Sequence, residues 1–267
     1  MPPDGSGTSN GPDPLAFSGF QTLKENYTAI IIGASGGIGH ACVQAIADDP
    51  RCSKVYALSR SPTTFNHSKI ITGILDLQDE DSITTAFDKI ASTTPDNLTF
   101  DLVFVATGFL HDDVIAPEKS WKQLTALSFE KAFAINTIGP ALIAKHALPR
   151  MSKSSKTIFA ALSARVSSID DNRLGGWHAY RASKAALNML IKNFAIEAKR
   201  KLPKAVIVGL HPGTVDTALS HPFQANVPNK QLFTPEISAA HLLNVADNLH
   251  ADDSGNLFAW DGKRIQS

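Results

Sequence analysis

The chain holds 267 residues, 43% of them hydrophobic and 19% charged, a length that suits one large α/β domain with a sizeable core better than two small ones. Lys and Arg number 25 and Asp and Glu number 25, so the zero formal charge gives no electrostatic case for binding nucleic acid or an anionic membrane surface. Two cysteines, Cys42 and Cys52, are too few for a disulfide framework, and no apolar run approaches the ~18 residues of a membrane helix; a cytoplasmic protein is expected.

Residues 1–26 read as a disordered N-terminal tail. The stretch 1–20 is crowded with Pro, Gly, Ser and Asp and buries too little apolar surface to offset its ordering entropy. It lacks the basic and apolar regions of a secretory signal and the Arg of a transit peptide. Within it, Leu15, Phe17 and Phe20 are candidates for docking on the domain or on a partner.

From residue 27 to 267, strand-length apolar runs alternate with helical patterns. Strands are predicted over 28–33, 54–58, 69–75, 101–107, 156–163, 205–210 and 256–260. Helices are predicted over 38–47, 79–90, 121–150 in two pieces, 178–201 and 235–248. Most of the strands are continuous rather than alternating apolar runs, as in a parallel sheet covered on both faces. The expected fold is a single α/β domain: a doubly wound, Rossmann-type parallel sheet with helices on both faces.

Directly after the first strand comes Gly33-Ala-Ser35-Gly-Gly37-Ile38-Gly39, opening a helix. Glycines there permit a tight turn, close backbone approach to a pyrophosphate and hard packing of helix on strand, and the helix N-terminus favours the anion. The second strand ends in Ser59-Arg60. An enzyme preferring NAD carries an acid there for the ribose 2′-hydroxyl. Its absence, with Arg60 available for a 2′-phosphate, favours NADP(H) over NAD(H). Asp76 follows the third strand and either accepts from the adenine amino group or caps the helix near Asp79.

Tyr180 and Lys184 stand at i and i+4 of a predicted helix and share a face. A free phenol is too weak an acid for neutral pH, and a nearby ammonium together with a nicotinamide cation would lower its pKa. Ser163 ends a strand where its hydroxyl could bond a substrate carbonyl, and Asn136 interrupts a helical run where it could position a water. His211-Pro212-Gly213-Thr-Val215-Asp-Thr217 follows the sixth strand, at the sheet edge where ligands bind.

Together these residues resemble the short-chain dehydrogenase/reductase family from about residue 27 to 263. The family's glycine motif matches Gly33, Gly37, Ile38 and Gly39; its tetrad matches Asn136, Ser163, Tyr180 and Lys184; its Pro-Gly segment matches Pro212 and Gly213. Stretches 105–111, 162–166, 174–177 and 211–217 are most similar to the C-factor-like, sniffer-type carbonyl reductase branch. The resemblance implies an NADP-dependent oxidoreductase acting on a carbonyl or alcohol, with Tyr180 as acid/base, Ser163 orienting the carbonyl, and Asn136 and Lys184 holding a relay water. It implies cofactor contacts at Gly33, Ser35, Gly37, Ile38, Arg60, Asp76, Leu77, Thr107, Gly108, Tyr180, Lys184, Pro212, Gly213, Val215 and Thr217. It also implies a homodimer or homotetramer.

The chain departs from the family in three places. The Asn-Asn-Ala-Gly motif reads Val105-Ala106-Thr107-Gly108, Ile32 stands where Thr is usual, and Ser163 precedes Tyr180 by 17 residues rather than the usual 13. Ser167 sits at the usual interval and competes for the serine's role, although Ser163 directly ends the apolar strand. Residues 218–233 are irregular, with Pro222 and Pro228, and read as a substrate lid in which Phe223 and Leu232 form an apolar wall. No His pair has metal spacing and no Gly-x-Ser-x-Gly elbow occurs, so no metal site or serine hydrolase is expected. The alternative function is a dinucleotide-binding signalling or regulatory protein with vestigial redox activity.

Overall fold

Runs rich in Val, Ile and Ala become strands here because both of their faces find helices to cover them. The computed structural model describes residues 16–93, 99–226 and 232–266. Its strands are β1 (Tyr27–Ile32), β2 (Cys52–Ser59), β3 (Ile70–Ile74), β4 (Leu102–Val105), β5 (Thr157–Leu162), β6 (Ala205–His211), β7 (Thr214–Val215), β8 (Leu232–Phe233), β9 (Leu257–Ala259) and β10 (Arg264–Ile265). Its α-helices are α1 (Gly37–Asp48), α2 (Glu80–Ser92), α3 (Ala126–Phe133), α4 (Gly139–Ala147), α5 (His178–Ala198) and α6 (Pro235–Asn248).

Eight strands form one sheet in the order β3-β2-β1-β4-β5-β6-β9-β10, parallel throughout except for the β9–β10 pair. The chain winds outward from β1 to β3, then returns to β4 on the other side of β1. That reversal opens a crevice beyond the carboxyl ends of β1 and β4, the place where ligands bind in open α/β sheets.

Period-two alternation divides the core. Ala29 and Ile31 of β1, with Ile158, Ala160 and Leu162 of β5, pack under α1 and α6. Ile30 and Ile32, with Phe159 and Ala161, pack under α2, α4 and α5. Ser163, next after Leu162, therefore falls on the α5 face. Cys42 packs in the α1 layer, and both cysteines are buried free thiols. Among the described residues no helix is long and apolar enough to cross a membrane.

The expected disorder of residues 1–26 fails for its second half; residues 1–15, Leu15 among them, lie outside the described residues. Phe20 and Leu23 are fully buried, and Phe17, Phe20 and Tyr27 stack edge-on in succession. Asp49 accepts the Phe20 N–H at 2.8 Å, and Asp247 accepts the N–H groups of Gln21 and Thr22 at 2.8 and 3.0 Å. The Arg51 guanidinium donates to the carbonyls of Phe20, Gln21 and Leu23. Composition pointed to disorder because the acids and the arginine that order this segment come from distant positions.

Other differences are local. The 121–150 region is a 3-10 turn at Trp121–Gln123, α3, a π-turn at Ala134–Ile138, α4 and a second 3-10 turn at Leu148–Arg150. Asp79 rather than Asp76 caps α2, accepting the Asp81 N–H at 3.0 Å. β7 and β8 pair with each other outside the main sheet and were too short to show as apolar runs.

Candidate active site

The crevice holds a cavity of about 430 Å³ lined by Gly33, Ser35 and Gly36 after β1, Ser59–Ser61 after β2, Leu75–Gln78 after β3 and Ala106–Phe109 after β4. The glycines do the expected mechanical work. A Cβ on Gly33, whose φ is +89°, would lie 2.8 Å from Thr107 Cγ2, and one on Gly39 would run into the Gly33 carbonyl. Thr217 Cγ2 lies 3.0 Å from the place a Gly37 side chain would start, so the segment after β6 closes onto the glycine loop. The first turn of α1 carries no acid and no capping side chain, leaving its N–H groups open to an anion.

Arg60 is exposed on the cavity rim, and no carboxylate stands at the end of β2. Ser59 is buried and turns its hydroxyl onto the Ser61 carbonyl at 2.7 Å. Asp76 accepts the Gln78 N–H at 3.0 Å, and Leu77 packs against Gly139 while lining the cavity. Thr107 Oγ1 is buried without a hydrogen-bond partner among the described residues, an orphan in the wall of a polar cavity. Glycine cradle, open helix N-terminus, rim cation and orphan hydroxyl fit a dinucleotide.

The tetrad residues come from three places in the fold: Asn136 from the π-turn, Ser163 from the end of β5, and Tyr180 and Lys184 from α5. Lys184 is 1% exposed on α5, and its Nζ donates to the Leu162 carbonyl at 2.7 Å. That Nζ and Asn136 Oδ1 lie 3.8 and 4.0 Å from where a side chain on Gly108 would begin, so both stand beside one of the residues that line the cavity. Asn136 sits in the π-turn, a feature common at functional sites. Pro140 has no N–H to give the carbonyl four residues back, so the Asn136 carbonyl loses its α-helical donor. The side chain is spoken for: it exchanges two 2.8 Å bonds with the Phe109 backbone and donates to Ser183 Oγ at 3.0 Å. Both amide protons of Asn136 are therefore committed, so its Nδ2 has none left for a water.

Burial works against the expected lowering of the Tyr180 pKa. Desolvation pushes the phenol up to about 12 and Lys184 down to about 7, each toward its neutral form. A positive charge entering the cavity draws the phenol the other way, toward its ionised form, and pushes Lys184 further down.

Ser163 and Ser167, the competing serines, are both buried and are linked through one amide. Ser163 Oγ donates to Asn188 Oδ1 at 2.7 Å, Asn188 Nδ2 donates to Ser167 Oγ at 2.7 Å, and Ser167 Oγ donates to the Ala164 carbonyl at 2.6 Å. Asn188 was missed in the sequence, although it continues the Tyr180–Lys184 face by one turn.

Glu118 was missed as well. Its carboxylate is 3% exposed, accepts from Ser128 Oγ and from the Ala179 N–H, and so fixes the start of α5 beside Tyr180. Its carbonyl accepts the Trp177 N–H at 2.5 Å, holding Trp177 at φ +51° after two glycines. The Trp177 ring meets Tyr180 at 6.2 Å and Phe223 at 5.0 Å, and Phe223 meets His111 at 5.6 Å. His111 Nε2 bonds the Leu219 carbonyl at 3.0 Å. Of the expected lid wall, Phe223 joins this aromatic row and Leu232 pairs in β8; residues 227–231 lie outside the described residues.

Pro212 O accepts from Ser238 Oγ at 3.0 Å, Gly213 takes φ +78° under the Phe233 ring, and Val215 is buried in β7. Among the described residues no group of His, Cys, Asp or Glu could hold a metal ion.

Residues 27–228 match the family model for short chain dehydrogenase. The chain is 26% identical over 239 residues to 1-hydroxy-2-glutathionyl-2-methyl-3-butene dehydrogenase of Rhodococcus sp. strain AD45, covering 90% of this chain and 99% of that protein. It is 33% identical over 136 residues to the C-signal protein of Myxococcus xanthus, covering 51% of this chain and 76% of that one. Among solved structures, NADPH-bound carbonyl reductase from chicken fatty liver superposes with a TM-score of 0.79 at 24% identity, covering 92% and 95% of the two chains. Carbonyl reductase Sniffer of D. melanogaster superposes with a TM-score of 0.78 at 22% identity, covering 91% and 100%.

Proposed function

The chain belongs to the short-chain dehydrogenase family, and on that premise we propose that it is an NADPH-dependent carbonyl reductase whose proton donor is Tyr180. The observation that carries this reading is one juxtaposition. Lys184, one turn from Tyr180 on α5, brings its Nζ beside Gly108 in the lining of a glycine-cradled cavity, where Arg60 stands at the end of β2 with no acid in that place.

In this reading Gly33, Ser35, Gly37 and Ile38 hold the pyrophosphate on backbone N–H groups, and Arg60 takes the 2′-phosphate. Asp76 and Leu77 meet the adenine, Thr107 and Gly108 the adjoining ribose, and Pro212, Gly213, Val215 and Thr217 the nicotinamide end. Bound NADPH supplies the hydride. Tyr180 Oη gives its proton to the carbonyl oxygen, and Ser163 orients that oxygen. Lys184 holds ribose hydroxyls and, when charged, draws the phenol toward neutral pH. The Asn136 backbone and Lys184 hold the water that returns the proton.

The test is consumption of NADPH and of NADH against a panel of benzil, quinones and aromatic aldehydes. The expected result is turnover of at least one carbonyl, faster with NADPH. Tight NADPH binding without turnover across the panel would overturn the reductase reading and support a regulatory dinucleotide-binding protein instead.

A further inference from the structure

The chain of bonds from Ser163 through Asn188 to Ser167 has a definite direction. A serine hydroxyl has one proton, and that of Ser167 goes to the Ala164 carbonyl at 2.6 Å. Ser167 can then only accept from Asn188, so the amide Nδ2 faces Ser167 and Oδ1 faces Ser163. Ser163 must donate inward, to Asn188. A serine in that state offers a substrate carbonyl lone pairs, not a proton.

The same atoms allow the reverse arrangement. Turning the Asn188 amide by half a revolution exchanges two groups of nearly equal shape. Nδ2 then donates to Ser163 Oγ and Oδ1 accepts the Ser167 proton. The Ala164 carbonyl loses the hydroxyl but keeps the Ser167 N–H at 3.0 Å, so no buried polar group is orphaned. Ser163 is left with its proton free for the cleft.

We propose that Asn188 is a positioning residue whose amide sets the direction of the Ser163 hydroxyl, inward at rest and released to the carbonyl oxygen once a substrate competes for it. This rests on Ser163 being the serine that meets the carbonyl. Ser167 takes the outer end of the relay, so the two serines do not compete for one role: both are parts of one device.

The test compares Asn188→Asp in the natural and Ser163→Ala backgrounds, using the fastest carbonyl of the panel, with NADPH affinity by fluorescence and thermal unfolding measured alongside. An ionised Asp accepts from both serines and donates to neither, so the Ser163 proton stays captured. The expected loss in kcat is on the order of 10²-fold, the scale of one donor to the reacting oxygen, with NADPH affinity unchanged. A protonated Asp restores one donor and one acceptor, so kcat of the variant recovers as pH falls through its carboxyl pKa. In the Ser163→Ala background the Asp substitution has no further effect on kcat. An equal loss in both backgrounds, or a loss without pH recovery, would overturn the relay and leave the Ser163 assignment standing. A Ser163→Ala protein with full kcat would overturn that assignment and the relay with it.

Discussion

The two halves of the crevice treat their polar groups in opposite ways. On the nucleotide side, groups are left open: among the described residues the α1 N-terminus has no capping side chain, Arg60 is exposed, and Thr107 Oγ1 has no partner. On the catalytic side they are held by one another: Asn136 on Phe109, Ser163 on Asn188, Lys184 on Leu162, Glu118 on Ser128 and Ala179. A binding surface has to offer unsatisfied donors to its ligand, whereas a reacting surface has to keep its groups aimed between turnovers. The first half gains its order from backbone geometry, the second from side chains that meet across long stretches of sequence.

The largest effect expected from breaking this contrast comes at Tyr180. Tyr180→Phe should lower kcat by roughly 10²–10⁴ while leaving NADPH affinity unchanged, measured by steady-state turnover and fluorescence titration. A loss of binding together with turnover would mean that the halves are not separable.

The docked N-terminal segment gives a smaller effect. Asp247→Ala leaves two backbone N–H groups and the Thr22 hydroxyl without their carboxylate, which should cost about 2–4 kcal/mol in urea unfolding. Activity of the folded fraction should be unchanged.

The smallest effect is one of pH. Burial holds Lys184 down to about 7 in the folded protein, while the unfolded chain has the ordinary lysine value near 10. Between those values the unfolded chain binds the extra proton, so stability rises with pH across that interval. The slope is at most about 1.4 kcal/mol per pH unit. Below about pH 7 both states are protonated and this dependence ends. Lys184→Met should remove the rise between pH 7.5 and 9 in a series of thermal unfolding curves.

What could be read from the sequence follows the same division. The glycine loop announced strand, turn and helix within about twenty residues, because a tight turn and a close phosphate approach demand residues without side chains. Tyr180 and Lys184 were legible for the same local reason, four residues apart on one helix. Asn188 lay one turn further on but carried no signal, since its meaning depends on Ser163 and Ser167, brought to it by the end of β5. Glu118 carried no signal either, since its meaning depends on Ser128 and Ala179, 10 and 61 positions further along the chain. The tail failed as a composition argument because Asp49, Arg51 and Asp247 order its second half through hydrogen bonds that span 28 to 226 positions. The π-turn had a local cause in Pro140, but periodicity alone counted that region as two helical pieces.

In the proposed reading the crevice between β1 and β4 binds NADPH through an open cradle and the Arg60 charge. Fluorescence titration of NADPH and NADH against the natural protein and Arg60→Ala tests it directly. The account predicts tighter binding of NADPH, with about 10- to 150-fold of its affinity lost in Arg60→Ala and NADH binding unchanged. Binding of neither nucleotide, or a preference for NADH that Arg60→Ala leaves untouched, would contradict it.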